Sequence, residues 1–178
     1  MNNREYLIHI LLKLRSIGIK NEKILKAIEK IPPHYYYNIF HGSNEIYKVD
    51  VNEVVEIVKL LELSLHVNSK LENVLLLGFK YGWFLVLLTN FCKRIYGICN
   101  NINQKKKLEL FFLNNNYNNI YLSKGKQLSS WNKVAPFDLI LCLNINSFSI
   151  IDIVNLLTER GVAILPTLSK SNSIEIIS

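Results

Sequence analysis

Short, largely apolar runs recur between stretches of helical periodicity from Val74 to Pro166, and this rhythm leaves few folds open. Val74–Leu77, Arg94–Ile98, Asn119–Leu122, Leu139–Leu143 and Val162–Leu165 read as strands, with helices expected over 82–91, 102–113 and 149–158. Strands that alternate with helices build a parallel sheet with right-handed crossovers, and strands apolar throughout are buried on both faces. The expected class is α/β: a Rossmann-like, doubly wound, mostly parallel sheet of about six strands behind N-terminal helices. Ser173–Ile177 alternates weakly and is expected as a last, edge strand.

Upstream of the alternation, Leu7, Ile10, Leu11 and Leu14 fall at helical spacing and Gly18 stops that helix. Asn21 is placed to cap a second helix with Ile24, Leu25 and Ile28 inward, which Pro32 and Pro33 are expected to end. The aromatic residues Tyr35–Tyr37 and Phe40 are expected to pack on the core as a lid. Asp50 and Glu53 have capping-box spacing ahead of Val54, Val55, Val58, Leu61 and Leu65, which predicts an amphipathic helix. Ser149 and Asp152 have the same spacing before the last helix, which Gly161 is expected to terminate. The chain reads as one domain, with N-terminal helices and lid over 1–48 and the α/β core over 49–178.

Composition narrows the class of function. Hydrophobic residues at 49% and charged residues at 20% are globular proportions. No apolar run reaches the length of a membrane span, and the first residues show no secretory-leader pattern, so neither membrane nor export is expected. Cys92, Cys99 and Cys142 are scattered without a CxxC pair, which argues against a metal site or a disulfide framework and for a reduced, cytoplasmic setting. The net charge of +7 raises the question of nucleic acid. Its densest run, Lys105–Lys107, reads as the solvated face of a helix whose other face carries Leu108, Phe111 and Phe112, and no nucleic-acid-binding signature accompanies it. His9, His34, His41 and His66 are widely spaced, and no catalytic acid, base or nucleophile is picked out; Cys99 reads as a buried thiol before a reactive one.

The stretch Val74–Trp83, VLLLGFKYGW, is where chemistry is expected. A buried strand, a glycine turn and a following helix form the unit around which nucleotide-binding α/β folds build their site. In its order of elements the chain resembles the protein-L-isoaspartate O-methyltransferases, class I S-adenosylmethionine-dependent enzymes, from Arg4 to Pro166. Leu11, Leu14, Gly18-Ile19, Ile24-Leu25 and Ala27-Ile28 follow that family's N-terminal pattern. Ile31-Pro32 stands at its Val-Pro-Arg, with Pro33 in place of the arginine. Ala135-Pro136-Phe137-Asp138 leading into a strand is the most specific match, and Gly161 with Ile164-Leu165-Pro166 fits the family's later segment. The resemblance implies a donor site at the ends of the first strands. It also implies a protein substrate, the free carboxylate of an isoaspartyl residue in a damaged protein, methylated as the first step of repair.

The same resemblance assigns the donor site to Gly78, Lys80, Gly82, Cys99, Asn100 and Lys126. Where the family has an acidic residue, an apolar one and then Gly-x-Gly-x-Gly, this chain has Leu76, Leu77 and Gly78-Phe79-Lys80-Tyr81-Gly82. The ribose-binding carboxylate falls on Cys99, followed by Asn100, and a Gly-Asp-Gly loop falls on Gly125-Lys126-Gln127. Three acidic positions are thus Leu76, Cys99 and Lys126, and a lysine at position 80 sets positive charge near a cationic sulfonium. Asp138 is expected to open the fourth strand near the site. The segment 38–49 carries Ser43 but not the family's glycine-rich Ser-x-Pro loop, and Pro166 is followed by room for one strand where the family has two. An open edge there favours a homo-oligomer. Three readings follow: a divergent methyltransferase holding its donor through backbone near Gly78 and Gly82, a non-catalytic binding or assembly protein on the same fold, and a basic nucleic-acid-associated protein.

Overall fold

The computed structural model describes residues 3–41, 50–68, 71–125, 128–144, 148–166 and 174–178, with side chains beyond residue 37 in the first segment left aside. Four helices come first: α1 (Asn3–Ser16), α2 (Glu22–Lys30), α3 (Pro33–His41) and α4 (Val51–Val67). The alternating part follows as β1 (Asn73–Leu77), α5 (Trp83–Leu88), β2 (Arg94–Cys99), α6 (Ile102–Asn114), β3 (Ile120–Lys124), β4 (Phe137–Cys142), α7 (Ile150–Val154), β5 (Leu157–Pro166) and β6 (Ile174–Ile177). A single turn of 3-10 helix, Leu128–Trp131, sits between β3 and β4. The six strands lie in the order β3-β2-β1-β4-β5-β6, parallel except for β6.

Successive residues of the central strands enter opposite layers, which is why their sequences are apolar without alternation. Val74, Leu76, Ile95, Cys99, Leu139 and Leu141 pack under the N-terminal helices, α5 and α6. Leu75, Leu77, Tyr96, Ile98, Ile140 and Cys142 pack against the 3-10 turn and α7. All six residues of α5 are buried, so it is apolar all round; each such side chain contributes about 1.5–3 kcal/mol on burial. Trp83 on α5 donates its indole N–H to the Ile31 carbonyl at 2.8 Å, pinning the N-terminal layer to the sheet. Among the described residues no helix is long and apolar enough to cross a membrane.

Four expectations change. Pro33 does not lie outside a helix but is the first residue of α3, where a missing N–H costs nothing. The aromatic cluster is therefore helical, with Tyr36 and Tyr37 buried as expected of a lid and Tyr35 turned to solvent; the Phe40 side chain lies outside the described residues. The last helix is short, ending at Val154, because Leu157–Arg160 already belong to β5. Gly161 lies inside that strand, beside the register shift between Phe137 and Leu139. A Cβ there would meet the Phe137 carbonyl oxygen at 2.7 Å, so glycine serves close backbone approach at a bulge and not helix termination. Asp138 opens β4 at the amino-terminal end of the sheet, away from the crevice, where its Oδ2 accepts from Glu72 N at 3.2 Å and Asn73 N at 2.9 Å.

Candidate functional site

The strand order reverses around β1, since the chain runs outward through β2 and β3 and returns to β4 on the other side. In open α/β sheets the crevice at such a switch point, outside the carboxyl ends of the strands, is where ligands bind. Here its floor is the turn 78–82. Gly78 has φ +71°, and a Cβ on it would lie 2.7 Å from Asn144 N, so the exit from β4 passes directly over it. Phe79 is buried, its ring lying 2.9 Å from where a Cβ on Gly97 would stand. Tyr81 packs against Tyr37 of α3 with ring centroids 3.9 Å apart and the rings tilted by 39°. Gly82 precedes α5 in helical backbone. Alternate residues of the turn thus anchor it, and Lys80 is left facing outward.

The second wall is the end of β2. Asn101 caps α6, its Oδ1 accepting from Gln104 N at 2.9 Å. Gln104 returns its side chain across the crevice: Oε1 accepts from Asn100 N at 2.8 Å and Nε2 donates to the Lys80 carbonyl at 3.0 Å. One carboxamide thereby ties the glycine turn to the β2 exit, and Asn100 stands exposed beside it. Gly125 after β3 closes the third side, its N–H donating to the Cys99 carbonyl at 3.1 Å.

Charge at this site differs from what the sequence suggests. The Lys80 ammonium is 3.7 Å from Glu53 Oε1, a residue of the first turn of α4, so the lysine is not an uncompensated cation. Asp50 caps α4 by accepting from Asn52 N at 2.9 Å, while the Glu53 carboxylate is directed to Lys80. Burial pushes the Tyr37 phenol above its usual range, and Glu53 adds to this.

Of the six positions assigned to the donor, Gly78, Lys80, Gly82 and Asn100 come together on the turn and at the β2 exit, and Lys126 lies outside the described residues. Cys99 is at the end of β2 but buried in the core, its thiol pushed up to about 12 by burial, with Glu109 adding and Lys105 opposing. It offers the crevice neither a carboxylate nor a reactive thiolate. Leu76 likewise is a core residue of β1. His9 and His66 are exposed, His34 is buried with its pKa lowered by burial, and the His41 side chain is outside the described residues. Among the described residues no group of three His, Cys, Asp or Glu side chains is arranged to hold a metal ion. Sequence reasoning missed Gln104 and the second role of Glu53. The spacing Asn101-x-x-Gln104 is a capping-box signal for the former; nothing local signals a contact between α4 and the turn.

No protein-family model matches this chain. Curated relatives do: a protein-L-isoaspartate O-methyltransferase of Dictyoglomus thermophilum is 29% identical over 137 residues, covering 72% of this chain and 61% of that protein. One of Dictyoglomus turgidum is 27% identical over 166 residues, covering 86% and 72%. A solved Plasmodium falciparum structure, described as a putative protein-L-isoaspartate O-methyltransferase in complex with S-adenosyl-L-homocysteine, superposes over 100% of this chain and 90% of its own with TM-score 0.71 at 13% identity. This chain is a divergent relative of the protein-L-isoaspartate O-methyltransferases. A further solved protein-L-isoaspartate O-methyltransferase matches 96% of this chain with TM-score 0.71, but only 59% of its own length. The chain thus spans less than two thirds of the Dictyoglomus thermophilum relative, and its fold is that of the class I methyltransferases.

Proposed function

We propose that the crevice over Gly78–Gly82 binds S-adenosylmethionine and that the protein transfers its methyl group to isoaspartyl carboxylates of damaged proteins. The observation that carries this reading is the left-handed Gly78 under the β4 exit at the switch point, in a chain whose curated relatives carry that activity in their names. The residues present fit the donor through main chain and neutral amides: the turn supplies close backbone approach, and Asn100, exposed at the β2 exit, is the amide we assign to the ribose hydroxyls. The turn's lysine is paired with Glu53 at 3.7 Å. When bound, the donor supplies an electrophilic methyl group on sulfur. The protein's part is to align the acceptor carboxylate and exclude water, which asks little of acid–base side chains. Without strand-borne carboxylates at Leu76 and Cys99, donor affinity is expected to be lower than in relatives that have them.

The substrate is then a protein. We further propose self-association through β6, an edge strand with Ile174 and Ile176 exposed, and a cytoplasmic setting, which the three buried free cysteines support. A second reading, a non-catalytic binding protein on the same fold, is favoured by the Gln104 bridge, which satisfies crevice groups internally. Transfer of labelled methyl groups from S-adenosylmethionine to an isoaspartyl peptide, against the matching aspartyl peptide, separates the two. Transfer to the isoaspartyl form alone supports the enzyme; donor binding or its absence without transfer supports the second reading.

A further inference from the structure

Lys80 and Glu53 come from different elements yet stand side by side at the crevice. Lys80 projects from the turn, whose backbone is fixed by Gln104 on one side and by the Tyr81–Tyr37 ring contact on the other. Glu53 rides the first turn of α4 and is more enclosed, with 29% of its side chain exposed against 70% for Lys80. An ion pair with one partner this exposed adds little to folding, about 0–1 kcal/mol. Its placement is the informative property: a positive and a negative group, 3.7 Å apart, on the wall of a proposed donor site.

We propose that this pair holds the α-amino-acid end of the donor, the Lys80 ammonium receiving the α-carboxylate and the Glu53 carboxylate receiving the α-ammonium. The inference rests on the crevice being a donor site, and it names what this chain uses there in place of a central glycine. An amino acid carries its two opposite charges on one carbon, a separation the ion pair matches in pitch and complements in sign. Exchanging one internal pair for two pairs to a zwitterion keeps the site neutral, so no unpaired charge is left behind. It also commits the lysine charge to a carboxylate, which removes its repulsion of a nearby sulfonium. Discrimination follows: a nucleoside thioether without the amino acid forgoes both contacts.

The test is calorimetric titration of wild type, Lys80→Met, Glu53→Gln and the double variant with S-adenosylhomocysteine and with methylthioadenosine, which lacks the amino acid. Wild type is expected to prefer S-adenosylhomocysteine. Each single substitution is expected to weaken that ligand at least tenfold while methylthioadenosine binding stays within twofold. Unaltered S-adenosylhomocysteine affinity in the variants overturns the clamp and leaves the donor site standing. Equal loss of both ligands overturns the clamp as well, since it marks general damage to the crevice. Wild type that binds neither probe overturns the functional reading and the clamp together.

Discussion

Gln104 Nε2 donates to the Lys80 carbonyl at 3.0 Å, a bond from the first turn of α6 to the middle of the glycine turn. With the local bond from Asn100 N to Gln104 Oε1, it lets one carboxamide tie the glycine turn to the β2 exit. Each bond is worth about 0.5–1.5 kcal/mol net, less where water competes. Gln104→Ala is therefore expected to lower stability by about 1 kcal/mol, a fall of about 2–4 °C in Tm for a chain of this length. A thermal melt that matches wild type would show that the bridge holds nothing.

Gly78 and Gly18 separate two reasons for glycine. Both have positive φ, but a Cβ on Gly18 meets nothing within 4 Å, whereas one on Gly78 meets Asn144 N at 2.7 Å. Gly18→Ala should cost about 1–2 kcal/mol for left-handed backbone alone. Gly78→Ala should cost more, because the β4 exit must also move, and urea unfolding of the two variants measures the difference. Equal costs would mean that the crevice floor yields freely.

Asp138 offers a control at the other end of the sheet. Its carboxylate accepts two backbone N–H groups at the entry to β1, and charge-assisted bonds of this kind contribute about 1.5–3 kcal/mol. Asp138→Ala should lower stability by about 2 kcal/mol or more while the affinity for S-adenosylhomocysteine is unchanged. Weakened ligand binding in a variant that remains folded at the assay temperature would argue that the two ends of the sheet are coupled.

Alkaline pH should destabilise the fold in a defined direction. Burial raises Cys92 and Cys99 to about 12 and Cys142 to about 11, from an ordinary 9.0. Above pH 9 the unfolded chain releases thiol protons that the folded chain keeps, so stability is full below that pH and falls as pH rises. The buried phenols of Tyr6, Tyr36 and Tyr37 are raised too and act the same way at higher pH. Urea midpoints at pH 8 and pH 10 should differ, and by less in a protein with all three cysteines changed to alanine. An identical loss in that variant would exclude the thiols as a source.

The sheet was legible because burial on both faces writes itself into each strand: Leu75 and Leu76 enter different layers, so neither position tolerates a polar residue. The caps at Asn21 and Asp50 were legible from local spacing, with Asn21 accepting from Lys23 N at 3.1 Å and Asp50 from Asn52 N at 2.9 Å, whereas Ser149 precedes α7 without a side-chain cap bond. What failed depended on contacts remote in sequence. Gly161 looked like a helix stop because the Phe137 carbonyl that requires it lies on another strand. Glu53 looked like half of a cap because Lys80, which it meets, is on the far side of β1. Lys80 accordingly read as a charge opposed to the donor, although its partner was present in the chain throughout.

The central claim, that the crevice binds the methyl donor, is tested most directly by thermal unfolding of the wild-type protein with increasing S-adenosylhomocysteine. A ligand at about 100 times its Kd stabilises by about 2.7 kcal/mol. For a chain of this length that is a rise of about 5–10 °C in Tm. A rise that follows this mass-action dependence on ligand concentration is the predicted result. A Tm that stays constant into the millimolar range would contradict the account.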